Sequence, residues 1–534
     1  MIELHLLDYL VIAFYFLFVF WVAWFVTIRS KKRKNSDDYF LAGRNLGWVV
    51  IGASLFASNI GSEHLIGLAG AGAAGGVAVA QFEILAGFIL LLLGWVFVPF
   101  YLKSGVATMP EFLEARYSKS ARTYLSFISI LGYVLTKISV TIYAGAVVFE
   151  AIGFDFWLGA FFVVIATGAY TVLGGLKAVI YTDFIQMIIM IAGAILVSIL
   201  GIQALGGISE LKQAVEPEYF SLWKASNHPA FPWTGILFGA PILGVWYWCT
   251  DQFIVQRVLS AKNITQARRG TIFGAFLKML PLFIFVIPGI ICFALAQKNI
   301  LQLTNTDNAL PTLVATIMPT GLKGLVIAGL LAALMSSLSS VFNSCSTLIT
   351  YDFYKQYYPK SSEKKLIWVG QVSTVILVIL GIAWIPLMKL VSNGGLFQYL
   401  QSVQAYISPP IAAVFLLGLF SRKINAKGAM ASLYAGFVIG IGRLILEINK
   451  DSLSGFWLEF TQINFLHFAL LLFVICSTIL ISVSLISKPE TIQKTKDLTF
   501  NWKKKLRFNP EEKRDLGLSA LVIVIILTMW IVFS

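Results

Sequence analysis

Apolar residues run along this chain in blocks of about 20, the length an α-helix needs to cross a bilayer. The blocks fall at 8–28, 48–73, 80–101, 122–149, 157–175, 179–205, 233–255, 271–297, 322–350, 366–388, 395–420, 427–447, 464–487 and 516–533. They predict an all-α polytopic membrane protein of about fourteen transmembrane helices. Two blocks break their own pattern. In 52–73, GASLFASNIGSEHLIGLAGAGA, Asn59, Ser62, Glu63 and His64 stand among Gly61, Gly67, Gly70 and Gly72. Ionisable side chains at membrane depth are costly and mark cavities and solute paths. Glycine loosens the helix at the same place, and irregular backbone persists in a bilayer only against a cavity or other protein. Small residues alone would serve close helix packing, but Glu63 beside His64 does not fit that use. The stretch therefore predicts a discontinuous helix forming half of a mid-membrane binding site.

The second break is at 241–257, PILGVWYWCTDQFIVQR. Pro241 and Gly244 weaken the helix just before Trp246, Tyr247 and Trp248, with Thr250, Asp251 and Gln252 next. An aromatic trio there suits a flat platform for a sugar ring or other small solute. Counted from the second block, the broken helices are the first and the sixth. That is the mark of an inverted-repeat (5+5) core, with halves at 46–205 and 233–420. Around it, 1–45 is an N-terminal helix and basic cytoplasmic loop, 206–232 an extracellular loop, and 421–534 peripheral helices with a basic cytoplasmic segment.

Composition supports this class: of 534 residues, 58% are hydrophobic and 12% charged, too apolar for a soluble chain of this length. The net charge of +14 invites a nucleic-acid reading, but the basic residues sit in alternate loops. Arg29, Lys31, Lys32, Arg33, Lys34 and Arg44 lie on one side with Arg257, Lys262, Arg268, Arg269, Lys355, Lys360, Lys364, Lys365, Lys503, Lys504, Lys505 and Arg507. The positive-inside rule puts these in the cytoplasm of a cell (plasma or inner) membrane and both termini outside. Lipid contact could also use them, but topology explains them. Cys249, Cys292, Cys345 and Cys476 all lie in apolar blocks, so no disulfide framework is implied. RSKKRK follows the first block in place of a small-residue cleavage site, which reads as a membrane anchor.

Single polar residues in the blocks extend the site. Glu83 and Lys278 are each costly alone and offset each other when paired. Gln401 carries an amide that both donates and accepts. With Asn59, His64 and a Trp or Tyr face, this set suits a neutral polyol. Lys137 reads as a snorkelling lysine. Ser336, Ser337, Ser339 and Ser340 crowd one turn, as hard oxygen ligands for a small cation or as hydroxyls bonded back to the helix. Asp183 reads as a loop residue or an ion ligand. No metal-ligand cluster or nucleophile–base pair stands out, so neither an enzyme nor a cofactor is expected.

Long motifs run through nearly the whole chain: ASNIGSEHLIGLAGAG, GVATMPEFLEARY, YTVLGGLKAVIYTDFIQM, WYWCTDQFIVQRVLSAKN, LMSSLSSVFNSCSTL and SPPIAAVFLLGLF. They resemble the sodium:solute symporter family, in its sodium/glucose cotransporter branch. The resemblance implies alternating access, with sugar held by Asn59, His64, Glu83, Tyr247, Trp248, Lys278 and Gln401. It implies an inner gate at Tyr247 and an outer gate at Leu68, Phe82 and Phe397. A first sodium would take backbone oxygens of Ala57, Ile60 and Ala333 and the hydroxyls of Ser336 and Ser337. A second would lie near Asp183, Ser337, Ser339 and Ser340, giving two sodium ions per sugar. Ile84, Gly244 and Gln404 depart from the family's sugar pocket. The expected function is sodium-driven hexose uptake, as a monomer. A sodium/myo-inositol or sodium/mannose carrier is the alternative, and a non-transporting sugar sensor a further one.

Overall fold

The structure, a computed structural model, describes residues 4–29, 35–61, 63–151, 153–391, 396–489, 497–501 and 508–534. It gives the backbone alone for 28–29, 63, 135, 147, 151, 384–391 and 396–399. Ser62 and the basic residues Lys31–Lys34, Lys503–Lys505 and Arg507 lie outside the described residues, and the side chains of Arg29, Glu63 and Phe397 outside the described side chains. Among the described residues the chain is helical and forms no sheet; two isolated bridges join Leu46 to Ala261 and Lys224 to Pro232.

Eleven helices among the described residues are long and apolar enough to cross a membrane. The difference from fourteen lies in three places. Trp48–Asn59 is apolar but short, because the helix stops at Ile60, whose ψ of 101 is extended. The segment after Trp233 also stops short, at Asp251 with ψ 127, before Gln252–Leu259 resumes. Phe156–Leu205 runs as one 50-residue helix where two blocks were expected. At 1.5 Å per residue it would be about 75 Å long if straight, far beyond a bilayer. It turns at Gly175, with φ 58 and ψ −165. A Cβ there would stand 2.5 Å from the Tyr39 carbonyl oxygen, so both the left-handed φ and the close approach require glycine.

Close backbone approach sets the scaffold. Gly52 and Gly270 face each other's helices: a Cβ on Gly52 would lie 2.8 Å from the Gly270 carbonyl, and one on Gly270 would lie 2.6 Å from Ile51. Trp48–Asn59 therefore lies tightly against Ile264–Leu277, which leads directly into Lys278. Small residues let membrane helices gain dispersion contact where lipid offers no hydrophobic drive. Among the described residues, six π-helical turns interrupt the helices. Glu63–Leu68 carries His64, Tyr133–Ile138 carries Lys137, and Val245–Thr250 carries Tyr247 and Trp248. Such turns widen a helix by one residue and recur at functional sites.

The basic-side connections are built in. Arg116 donates to the carbonyls of Gly418, Ser421 and Ile424, and Arg122 bridges Glu111, Glu114 and Asp352. The GVATMPEFLEARY motif is thus a clamp between distant helices. All four cysteines are free and buried.

Candidate functional site

The two helix breaks meet. Asn59, the last residue of its helix, donates from Nδ2 to Tyr247 Oη at 2.9 Å. Lys278 Nζ donates to Asn59 Oδ1 and to Glu83 Oε2. Glu83 Oε1 lies 3.1 Å from His64 Nε2. Five polar side chains from five segments thus form one buried network. Both Glu83 oxygens and the Lys278 ammonium have partners, which limits the cost of taking them out of water; His64 Nδ1 is buried without a partner among the described residues. Burial is at least nine-tenths for Asn59, His64, Glu83, Tyr247 and Lys278.

One side of this network opens on a cavity lined by Asn59, His64, Glu83, Tyr247, Trp248 and Gln401, with Gln404, Phe82 and the small residues Ala86, Ala240 and Gly244. Of the seven residues expected to bind solute, six line it. Lys278 stands behind, where it fixes Asn59 and Glu83 and lies 5.3 Å from the Trp248 ring. Tyr247 and Trp248 meet edge to face, with centroids 5.2 Å apart. The lining offers donors, acceptors and one aromatic wall, a combination that holds hydroxylated rings.

The gate residues divide. Tyr247 and Phe82 both line the cavity, and Phe82 stacks on Phe465 (6.5 Å, 12°) and against Phe231 (6.1 Å). Leu68 is fully buried and is not among the lining residues.

Tyr247 rests on a residue that the sequence reading placed elsewhere. Lys137 does not snorkel. It is buried, donates to Tyr247 Oη at 3.2 Å, and lies 4.4 Å from the Tyr247 and Phe253 rings. Its depth explains this: twelve or more residues from either end of its block, about 18 Å along the helix, it is too deep to reach either membrane surface and takes the Tyr247 hydroxyl as its polar partner. Arg257 needs the same correction. Counted among cytoplasmic loop residues, it is fully buried. The apolar neighbours Ile254, Val255, Val258 and Leu259 on both sides were the available signal.

Arg257 organises the second polar cluster. Its guanidinium donates to Ser340 Oγ, to the Phe253 carbonyl, to Ser54 Oγ (2.8 Å) and to Asp183 Oδ2 (3.3 Å). Asp183, which the sequence left between loop and ligand, is a buried helix residue. It also accepts from Ser54 (2.6 Å) and, through Oδ1, from Ser336 (2.5 Å). Ser339 and Ser340 donate back to the Ser336 carbonyl at 3.0 and 2.8 Å, the helix-internal alternative. Ser337 points elsewhere: a Cβ on Gly61 would lie 3.0 Å from its Oγ, so it faces the first break. Adjacent helix positions diverge by about 100°, which separates Ser337 from Ser336. The buried residues Ala57 and Ile60 end the broken helix, where the last carbonyls have no helical partner. Ala333 is buried one turn before Ser337. Ser337 thus lies beside Gly61 at the break, while Ser336 is engaged by Asp183. Ser54 is the residue of this cluster that sequence reasoning missed, since one serine in an apolar helix carries no signal.

A model of the sodium:solute symporter family matches residues 39–436. Sodium/glucose cotransporter 4 of Mus musculus is 40% identical, over 93% of this chain and 78% of that protein. Sodium/glucose cotransporter 1 of Ovis aries is 40% identical over 90% and 79%. The sodium/myo-inositol cotransporter of Mus musculus is 40% identical over 93% and 76%. In fold, the chain is similar to a sodium-coupled sialic acid symporter in an outward-open state (TM-score 0.78, 24% identity, 91% of this chain and 99% of that one). It is more distantly similar to a nucleobase–cation symport-1 transporter (TM-score 0.52, 12% identity, 87% and 98%). The chain is a multi-pass membrane carrier rather than an enzyme, and it belongs to the sodium:solute symporter family.

Proposed function

We propose that this chain couples inward sodium flow to uptake of a hexose by alternating access. The observation that carries this is the convergence of Asn59, His64, Glu83, Tyr247, Trp248 and Gln401 on one cavity at the meeting point of two helix breaks. The set is rich in paired donors and acceptors and offers no uncompensated charge, which favours a neutral polyol. That relatives 40% identical to this chain are named as sodium/glucose cotransporters supports the choice of hexose. Myo-inositol is the second reading, because a sodium/myo-inositol cotransporter is equally identical and Gln404 adds a second amide to the wall.

Fourteen crossings are compatible with the same geometry. Dividing Phe156–Leu205 at Gly175 and adding the two broken helices brings eleven spans to fourteen. This keeps the two 5+5 halves at 46–205 and 233–420, the flanking segments as expected, and both termini outside. His64, Phe82, Glu83, Ala240, Gln401 and Gln404 then come from the outer halves of their helices and Asn59, Tyr247 and Trp248 from near mid-membrane, so the cavity faces outward and Tyr247, on Lys137, blocks the inner path. Phe82, with Phe231 and Phe465, is the outer cover.

A first sodium binds at the break, between the Ala57, Ile60 and Ala333 carbonyls and the Ser337 hydroxyl, with Ser336 turning from Asp183. It fixes the end of the Trp48–Asn59 helix and so the position of Asn59. Sugar affinity then rises as the competent arrangement fills. A second sodium takes Asp183, Ser339 and Ser340, where it competes with the Arg257 guanidinium for Asp183 and Ser340. Each charge carried inward contributes about 2.3 kcal/mol per 100 mV, so two ions double the electrical drive per sugar.

The test is uptake of labelled glucose, galactose, mannose and myo-inositol into proteoliposomes with and without an inward sodium gradient. Sodium-driven accumulation of a hexose is expected. Binding without accumulation would make the protein a sensor, and accumulation of myo-inositol alone would replace the hexose.

A further inference from the structure

Away from the cavity, three helices leave a groove on the protein's outer face. It is bounded by Trp48 at the start of its helix, by Arg269, Ile272, Phe273 and Phe276, and by Arg514, Leu518, Leu521 and Val522 of Pro510–Val532. Its volume is about 340 Å³. Trp48, Phe276, Leu518 and Leu521 are 38–50% exposed, so its apolar walls are open to whatever surrounds the protein. All three helices begin at the end that the charge pattern assigns to the cytoplasm, and both arginines lie at that end. Charge there is uneven. Arg268 and Arg269 are matched by Glu511, Glu512 and Asp515. Arg514 is exposed and has no ion pair among the described residues. An apolar slot with a tryptophan and an uncompensated guanidinium at its cytoplasmic mouth fits one class of molecule. An acyl chain fills the slot, and an anionic headgroup meets the cation.

We propose that this groove is a binding site for an anionic phospholipid of the inner leaflet, its phosphate held by Arg514 and its acyl chain lying between Phe276 and Leu521. The site is independent of the transport reading. It also gives the Pro510–Val532 helix a role: Glu512 and Asp515 lock Arg268 and Arg269, which holds the helix beside Ile264–Leu277 and leaves Arg514 for the lipid.

The experiment uses the full chain in phosphatidylcholine bilayers with a few per cent of spin-labelled phosphatidylglycerol or spin-labelled phosphatidylcholine. Electron paramagnetic resonance measures the motionally restricted fraction of each. The expected result is a preference for phosphatidylglycerol that falls about fivefold in Arg514→Gln, the loss of one cation near the surface, with phosphatidylcholine unchanged. Leu521→Trp, which fills the slot, should lower the same preference while Arg514 remains. An unchanged preference in both variants overturns the proposal. So does its complete loss in a Lys503→Gln/Lys504→Gln/Lys505→Gln variant with Arg514 intact, which would assign it to the basic run. A dimer cross-linked through Leu518→Cys, with no lipid preference, would place a second copy in the groove and equally overturn it.

Discussion

Two buried acid–base clusters are linked through Tyr247 and Phe253, and they use the same chemistry to opposite ends. Around Glu83 and Lys278 the charges are paired, but one face opens on the cavity, so hydroxyls from outside can join the network. Around Asp183 and Arg257 both side chains are fully buried, and they bond to one another and to Ser54, Ser336 and Ser340. The open cluster can exchange partners with a neutral solute. The sealed one can exchange only with a bare cation small enough to enter among hydroxyls. Phe253 joins them, with Lys137 4.4 Å from its ring and its carbonyl accepting from Arg257. On the proposed assignment of solute to the one and ion to the other, such shared contacts couple the two, and that coupling is a free energy owed equally in both directions.

The largest expected effect is on the sealed cluster. Arg257→Met strands the Asp183 carboxylate in the interior and should cost about 3–5 kcal/mol of stability, read as a lower thermal midpoint. Asp183→Asn with Arg257→Gln should recover much of it. No recovery would mean that Arg257 acts through packing rather than charge. On the open cluster, Glu83→Gln removes a charged acceptor worth about 1.5–3 kcal/mol. Sugar affinity should fall roughly 10- to 150-fold, with sodium affinity changed far less. Equal losses of both would erase the distinction between the clusters.

Ser339→Ala sharpens the ion assignment. The ratio of sodium to sugar, from reversal potentials, should drop from two to one, and an unchanged ratio would remove the second site. The smallest effect concerns the cover. His228 Nδ1 accepts from the amides of Ala230 and Phe231 at 3.2 and 3.0 Å. Its pKa is pushed below the usual imidazole value by burial first and then by nearby Lys224. A depressed folded value means that its contribution is present above the unfolded pKa of about 6.5 and is lost as pH falls through the folded one. Hydrogen exchange across 225–232, corrected for intrinsic rate, should rise less than tenfold between pH 7.5 and 5. A flat profile would detach His228 from the Phe231 cover.

Much of the open cluster was legible because Asn59, Glu83 and Lys278 are anomalies in apolar blocks, and an anomaly in a membrane demands a partner. Lys137 and Arg257 were misplaced for one reason. A basic residue within an apolar block, or just past its expected end, has water as its default destination, and only three-dimensional depth overrides that. The aromatic cover was half legible: Phe82 was named, but Phe231 and Phe465 reach it from distant segments that no local pattern connects. The turn at Gly175 was read as a loop between two helices. In the structure one glycine with positive φ suffices, because Tyr39 fills the space a side chain would need.

The central claim is that sodium at the break prepares the cavity for sugar. Titration calorimetry of the purified protein tests it most directly, with sugar titrated at zero and saturating sodium, and sodium at zero and saturating sugar. The account predicts that each ligand tightens the other by the same factor, and that Glu83→Gln weakens the sugar leg alone. Sugar affinity that is indifferent to sodium would contradict it.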